Sequence, residues 1–347
     1  MHRRRFQDVP HGIRRLQTNH AAIRMACGRM HGQCRLVKAD HQNRPITGIV
    51  SLALGVIVFS AQDAIIKKLS GDYSVTQTVF VRCLVATPIL LAMVHYEVGI
   101  RALASRQTWP LVWRGAILLV AYTTYFMAIA ALPLAEVVAL FFMAPVLVTL
   151  LSRPMLGERV TVHSWIAVGV GFIGTLIILK PGSSVFEPAA LLALLSAATY
   201  AFAMVLARRM GGTEAATVMS FYQNGVYIVG AVAIAVGFQL AGFTSLPHPS
   251  LDFLVRPWAP ATWFDLGLMA ACGVIAALGA TLLAHAYKSA SATLVTVFEY
   301  TGMIWLPLWG FLFFQEVPSV TTAIGIVLIV GAGLYAAFMA RRMHRAI

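Results

Sequence analysis

Charge is what this sequence has least of. Only 11% of its 347 residues are Asp, Glu, Lys or Arg, whereas a soluble domain carries about 25%. Acidic residues are scarcer still, 13 in all, against 59% hydrophobic residues. A chain with so little polar surface cannot be covered by water, which excludes a soluble protein and implies an integral membrane one. A lipid-embedded backbone must satisfy its own hydrogen bonds, so helices and closed barrels are the only spanning forms. Barrel strands alternate polar and apolar residues. The runs here are apolar on every side, which excludes the barrel and predicts an all-α fold. Cysteine is scarce too. Cys27, Cys34, Cys83 and Cys272 form no CxxC pair, so neither a zinc centre nor a disulfide framework is expected. No apolar core of a secretory signal precedes Ile46. Walker, HExxH, GxSxG and dinucleotide fingerprints are missing in any suitable context. No cofactor and no ATPase of its own are therefore expected, and any transport would be secondary.

What charge there is lies unevenly. The net charge of +13 suggests nucleic acid, but its placement argues against that partner. Ten of the 26 Lys and Arg residues fall before Pro45, from Arg3 to Arg44. Residues 1–45 read as a basic, disordered cytoplasmic tail, and a polybasic tail of this kind is suited to anionic lipid. Most of the other basic residues sit at the ends of apolar runs.

Ten such runs follow: 46–69, 75–96, 111–131, 134–152, 163–179, 188–207, 217–238, 262–287, 293–314 and 321–340. Each is near the length that crosses a ~30 Å hydrocarbon core as a helix. Ser70–Gly71–Asp72, Pro133, Pro154, Gly211–Gly212, a Pro-rich stretch over 246–260 and Pro318 separate them. Arg101, Arg106, Arg114, Arg153, Arg159, Arg208, Arg209 and Lys288 fall on one side. Lys67, Lys68, Lys180 and Arg256 are left for the other. The bias predicts both termini in the cytoplasm and agrees with an even number of spans.

The stretch 128–182 recurs weakly as 286–342. Setting Glu158 on Glu316 lays Pro133 on Ser291 and Gly174 on Ala332. Residues 46–182 and 183–340 then form two five-helix repeats, with a cytoplasmic end over 341–347. Five is odd, so the second repeat is inverted relative to the first, the arrangement used for alternating access about a midplane site.

Particular segments resemble the drug/metabolite transporter superfamily, in its EamA group of ten-span carriers. They are RGAILLVAYTTYFMAIAALPLAEVVALFFMAPVLVTLLS (114–152), Gly157–Glu158, GFIGTLIILKPG (171–182) and FEYTGMIWLPLWGFLFFQEVP (298–318). The SAQDAIIKKLS segment (60–70) is similar to the first span of S-adenosylmethionine uptake carriers, and riboflavin and metallophore carriers look alike there. Gln315 stands where many members have Gly, and Tyr300 where many have Pro. The resemblance implies a carrier of the bacterial inner membrane, with a small-molecule substrate and the bilayer as its partners.

Ionisable groups at membrane depth are costly and mark sites. Asp63 in the first run and Arg82 in the second either face a central cavity or pair with each other; Asp63 and Lys67 share a helix face. Glu299 in the ninth run can bind and release a proton, which makes it the coupling candidate, with a bonded structural Glu as the alternative. Tyr122, Tyr125, Tyr222, Gln223, Asn224 and Tyr300 suit a flat polar solute through stacking and hydrogen bonds. As helix–helix ties and interface residues they would be structural instead. Gly169, Gly171 and Gly174 predict close helix contact. The expected activity is secondary transport of a small polar organic metabolite, such as an amino acid, a nucleoside-like or a vitamin-like solute, with proton coupling or exchange. A lipid-modifying membrane enzyme needs a polar cluster at one face, and His95, His163 and His285 are scattered. A non-transporting scaffold would act through the basic tail.

Overall fold

A computed structural model describes residues 45–104, 107–156, 162–180, 187–210, 214–289 and 302–344. Among them there is no strand. The helices are α1 (Pro45–Leu69), α2 (Val75–Glu97), α3 (Thr108–Ala131), α4 (Leu134–Phe141), α5 (Ala144–Leu156) and α6 (Val162–Leu179). They continue with α7 (Ala189–Met210), α8 (Ala216–Leu240), α9 (Pro249–Val255), α10 (Trp263–Ser289), α11 (Gly302–Phe314) and α12 (Val320–His344). A short 3-10 turn, Ile100–Leu103, joins α2 to α3. Within these helices, the stretches 50–69, 75–97, 108–131, 189–207 and 216–240 are long and apolar enough to cross a membrane. Shorter apolar stretches lie in α4–α5, α6, α10, α11 and α12.

The outer surface explains the shortage of charge. Leu54, Phe172, Leu195, Val229, Trp263, Ile304 and Val327 are exposed. Exposed large apolar side chains in this number, on helices of membrane-spanning length, mark contact with lipid. Lipid tails supply no hydrophobic drive between helices, so the inside is held by close fit. On α7, Ala189, Ala193, Ala197, Ala201 and Val205 recur every fourth residue and are all buried. That stripe of small side chains lets α7 lie against α3, where Phe126, Ala128 and Ile129 are fully buried. The α6–α12 seam works likewise. A Cβ on Gly325 would stand 2.4 Å from Ile178 Cγ1 and 2.8 Å from the Gly174 carbonyl. Gly174 sits in the same seam, with the Gly325 carbonyl 3.0 Å from where its Cβ would stand, a Cβ on Gly171 would meet Met143 Sδ at 3.2 Å, and Gly169 faces open space.

Three features differ from the run-by-run expectation. Pro154, expected to separate two runs, lies inside α5, which continues to Leu156. The run 134–152 is two helices rather than one. Pro145 has no N–H to give Phe141, and its ring crowds that carbonyl, while the residue before a proline disfavours helical backbone. The chain therefore turns at Phe142 and Met143 before α5 begins. The Pro-rich stretch 246–260 is also ordered. His248 caps α9, accepting the Ser250 N–H at its Nδ1 at 3.2 Å. Arg256 is ion-paired with Asp252 and donates to the Gly71 carbonyl at 2.6 Å. Trp258 Nε1 donates to Thr76 Oγ1 at 2.9 Å, which fastens the loop onto the α1–α2 corner.

Candidate functional site

Between α1, α3, α4 and α7 lies a cavity of about 210 Å³. From α1 it receives Phe59, Gln62 and Asp63, one face of a helix whose next turn carries Lys67. Helix α3 contributes Ala121, Tyr122 and Tyr125. Phe141, the last residue before the break, closes one side, and Ser196 and Tyr200 of α7 close another. The rings interlock: Tyr125 meets Phe141 edge-on at 5.0 Å, and Phe141 meets Tyr200 at 5.2 Å between centroids. A rigid aromatic wall of this kind suits small-molecule binding.

The Tyr125 hydroxyl donates to Asp63 Oδ2 at 3.0 Å. Arg82 reaches the same region from α2, its guanidinium 5.8 Å from the Tyr122 ring centroid and 6.0 Å from that of Phe126. It acts electrostatically on Asp63, yet among the described residues it forms no hydrogen bond or ion pair, and its buried Nη1 has no partner. Arg114 is likewise buried, with Nε unpartnered. Tyr122 lines the cavity beside Asp63 and lies under the Arg82 guanidinium. Two residues of the cavity wall are also unmatched, Gln62 at Oε1 and Ser196 at Oγ. Leaving such a buried group unpaired costs about 1–3 kcal/mol, more for a charged one.

The residues predicted from sequence thus divide. Asp63, Arg82, Tyr122 and Tyr125 are brought together. Asn224 is buried and serves as a tie, donating to the Cys83 carbonyl at 3.0 Å and to Thr87 Oγ1 at 2.9 Å on α2. Gln223 Nε2 donates to the Tyr227 hydroxyl at 3.1 Å, and Tyr227 in turn meets Tyr122 at 5.7 Å. Tyr222 lies away from the cavity, donating to the Leu103 carbonyl at 2.6 Å. Glu299 and Tyr300 lie outside the described residues. Gln62, Phe141, Ser196 and Tyr200 are additions to the cavity wall, and Arg114 is a buried cation on the same helix as Tyr122. Gln62 is the polar neighbour of Asp63 in sequence, and Ser196 and Tyr200 are polar residues four apart in an Ala-rich run, so both left a trace. Among the described residues no three metal-ligating side chains gather.

One helical turn beyond Asp63, about 6 Å along α1, a second polar cluster joins distant parts of the chain. Lys67 pairs with Glu316 and donates to the Leu132 carbonyl at 2.6 Å. Glu316 Oε2 accepts the Leu134 N–H at 2.9 Å, the orphan donor at the start of α4. Glu136 accepts from Thr322 Oγ1 at 2.8 Å. Gln315, at φ 56°, holds a left-handed backbone that turns Glu316 back toward α4.

Residues 46–180 and 187–338 each match the EamA-like transporter family. The chain is 33% identical over 288 residues to a pseudopaline exporter of Pseudomonas aeruginosa, covering 82% of this chain and 94% of the relative. It is 25% identical over 290 residues to an S-adenosylmethionine uptake transporter of Rickettsia felis, covering 84% and 92%. With a riboflavin transporter of Rhizobium johnstonii it shares 28% over 251 residues, covering 72% and 76%. A crystal structure of a protein 19% identical superposes with a TM-score of 0.58 over 84% of this chain and 97% of that one, a likeness of fold.

Proposed function

Because this chain belongs to the EamA-like transporter family, and is a multi-pass membrane transporter rather than an enzyme, we propose that it carries a small polar organic metabolite through the α1–α3–α4–α7 cavity by alternating access. The observation that carries this reading is the cavity itself. Buried, unmatched polar groups at membrane depth face a space walled by helices from both family-matched segments.

Ten spans arranged as two inverted repeats, 46–182 and 183–340, are part of the proposal, and the helix pairing supports them. Let α1, α2, α3, α4–α5 and α6 correspond to α7, α8, α10, α11 and α12. The contact of α1 with α10 then has its counterpart in α7 with α3, and that of α2 with α10 in α8 with α3. The α1–α11 contact maps onto α7 with α4–α5, and α2–α8, α6–α12 and α4–α11 map onto themselves. A broken helix beside the site is also a recurring device of carriers. The register that sets Glu158 on Glu316 sets Phe141, at the break, on Glu299, which supports Glu299 as the coupling carboxylate.

With both termini cytoplasmic in the bacterial inner membrane, as the basic links favour, the Lys67–Glu316 cluster lies on the outer side. It acts there as a latch that holds this end shut while the site opens inward. The Asp63, Arg82, Tyr122 and Tyr125 group binds substrate; Tyr222, Gln223 and Asn224 have structural partners of their own.

Reconstitution tests the reading. Purified protein in liposomes should move a labelled metabolite from a panel of amino acids, S-adenosylmethionine and riboflavin, and Asp63→Asn should abolish that flux at equal incorporation. Flux of a panel solute that survives Asp63→Asn unchanged would remove the cavity from the pathway.

A further inference from the structure

Resting on the cavity as the solute's path, we infer that Gly279 on α10 is a positioning residue that sets the room inside it. Gly279 is buried and does not line the cavity itself. It acts through Phe59, the ring that α1 presents there.

The crowding at Gly279 differs in kind from that at other close contacts. A Cβ there would stand 2.5 Å from Phe59 Cε2, 2.6 Å from Cζ and 3.0 Å from Cδ2. The three nearest atoms all belong to one ring, and none is backbone. At Gly273, six residues earlier on the same helix, a Cβ would meet the Arg82 carbonyl at 2.4 Å. At Gly325 it would meet the Gly174 carbonyl as well as Ile178. Backbone in a packed seam cannot withdraw, so a side chain at those two positions strains the helix contact itself. A phenyl ring at the end of its side chain can withdraw. Ordinary carbon contact lies at about 3.5–4.0 Å, so the ring would have to retreat by about 1 Å. The missing side chain of Gly279 is what lets Phe59 lie back against α10.

The retreat takes room from the site. Phe59 has Gly279 at one edge of its ring and the cavity beside it. Helix α1 is tied at this level: Ser60 Oγ accepts the Trp309 Nε1–H of α11 at 2.9 Å and donates to the Ile57 carbonyl at 2.7 Å. The helix therefore keeps its place and the ring does the moving. Phe59 and Asp63 are four apart on one helix face, so a displaced ring also crowds the Asp63 carboxylate. The cavity is only about 210 Å³. In a space that tight, the loss of one methylene's room discriminates between solutes by about tenfold or more. Glycine at 279 thus fixes the upper size of solute on the α1 side of the site.

Thiol labelling inside the cavity tests this without a known solute. Full-length protein with its four native cysteines replaced and Ser196→Cys introduced carries a single thiol, on the α7 wall. Its labelling rates with methyl methanethiosulfonate and benzyl methanethiosulfonate, both uncharged, are read as a ratio, which cancels differences in how often the site opens. Gly279→Ala should lower the benzyl-to-methyl ratio by about tenfold. Phe59→Leu removes Cε2 and Cζ, so in that background Gly279→Ala should change the ratio by less than about twofold. Gly325→Ala, as crowded but in the α6–α12 seam, should lower Tm and leave the ratio alone. The inference is overturned if Gly279→Ala leaves the ratio unchanged, if Gly325→Ala lowers it equally, or if Phe59→Leu brings no relief. Should Gly279→Ala alone fail to fold, adding Phe59→Leu should restore folding. A double variant that still does not fold would place the clash elsewhere and overturn the inference too. Flux in liposomes separates this from the carrier reading. A ratio that responds as expected in protein moving no panel solute would keep the role of Gly279 and sink the path. Flux that Asp63→Asn abolishes, with an unmoved ratio, would do the reverse.

Discussion

Removing the Glu316 carboxylate should unlatch one side of the carrier. Its two oxygens hold Lys67 and the Leu134 N–H, so Glu316→Gln deletes the charge opposite a buried ammonium while keeping size and some hydrogen bonding. Breaking a fully buried pair costs about 3–5 kcal/mol. The side chains here are 13% and 18% exposed, and Lys67 keeps the Leu132 carbonyl, so we expect about 2 kcal/mol. The bonds lost join α1 and the start of α4 to the segment after α11, contacts that must part when that side opens. The cost therefore falls on the latched state, and the balance should move toward the open one by about 30-fold. The assay is labelling of Ser196→Cys by a membrane-impermeant thiol reagent, in right-side-out vesicles of a variant lacking the four native cysteines. Glu316→Gln should label more than tenfold faster if the shift is expressed even partly. Lys67→Met combined with Glu316→Gln should cost less than the two changes separately, because no lone charge remains buried. Unchanged labelling in Glu316→Gln, together with a lowered Tm, would refute the latch and leave the pair as a static bolt.

Other perturbations separate fold from site. Gly325→Ala should lower the Tm of the detergent-solubilised protein, by a strain of about 1–3 kcal/mol, since its Cβ would meet Ile178 and the Gly174 backbone; Gly169→Ala, facing open space, should leave Tm within error. Asn224→Leu should cost about 0.6–1.7 kcal/mol of stability, read as a lower Tm, while the substrate Kd stays put. Gln315→Gly should stabilise by about 1 kcal/mol, because a left-handed residue with a Cβ is strained; a fall in Tm would contradict that backbone. Pro145→Ala should restore an N–H for Phe141 and straighten α4 into α5, seen as lost flux with retained expression.

Composition alone made the class readable, because no arrangement of this sequence covers itself in water. The four residues that gather at the cavity were readable for a related reason. Asp63 and Arg82 are expensive in their runs, and Tyr122 and Tyr125 share a helix with little else that is polar. Arg114 was hidden by the rule that served elsewhere. Counted as a basic residue at a run's end, it joined the cytoplasmic links, but α3 begins at Thr108 and places it more than a turn inside. A helix apolar all round has no polar face to show which way such a residue points. The break after Phe141 was written in Ala144–Pro145, yet hydropathy averages over it, and the helix looked continuous. Lys67 and Glu316 lie 249 residues apart, so their pairing needed the fold. What sequence could not order was partnership: Asn224 and Arg82 are both buried polar residues on neighbouring helices, and only the fold shows that the Asn224 amide nitrogen is bonded twice to α2 while, among the described residues, Arg82 keeps an unpartnered Nη1. That difference, rather than polarity, separates a tie from a candidate site.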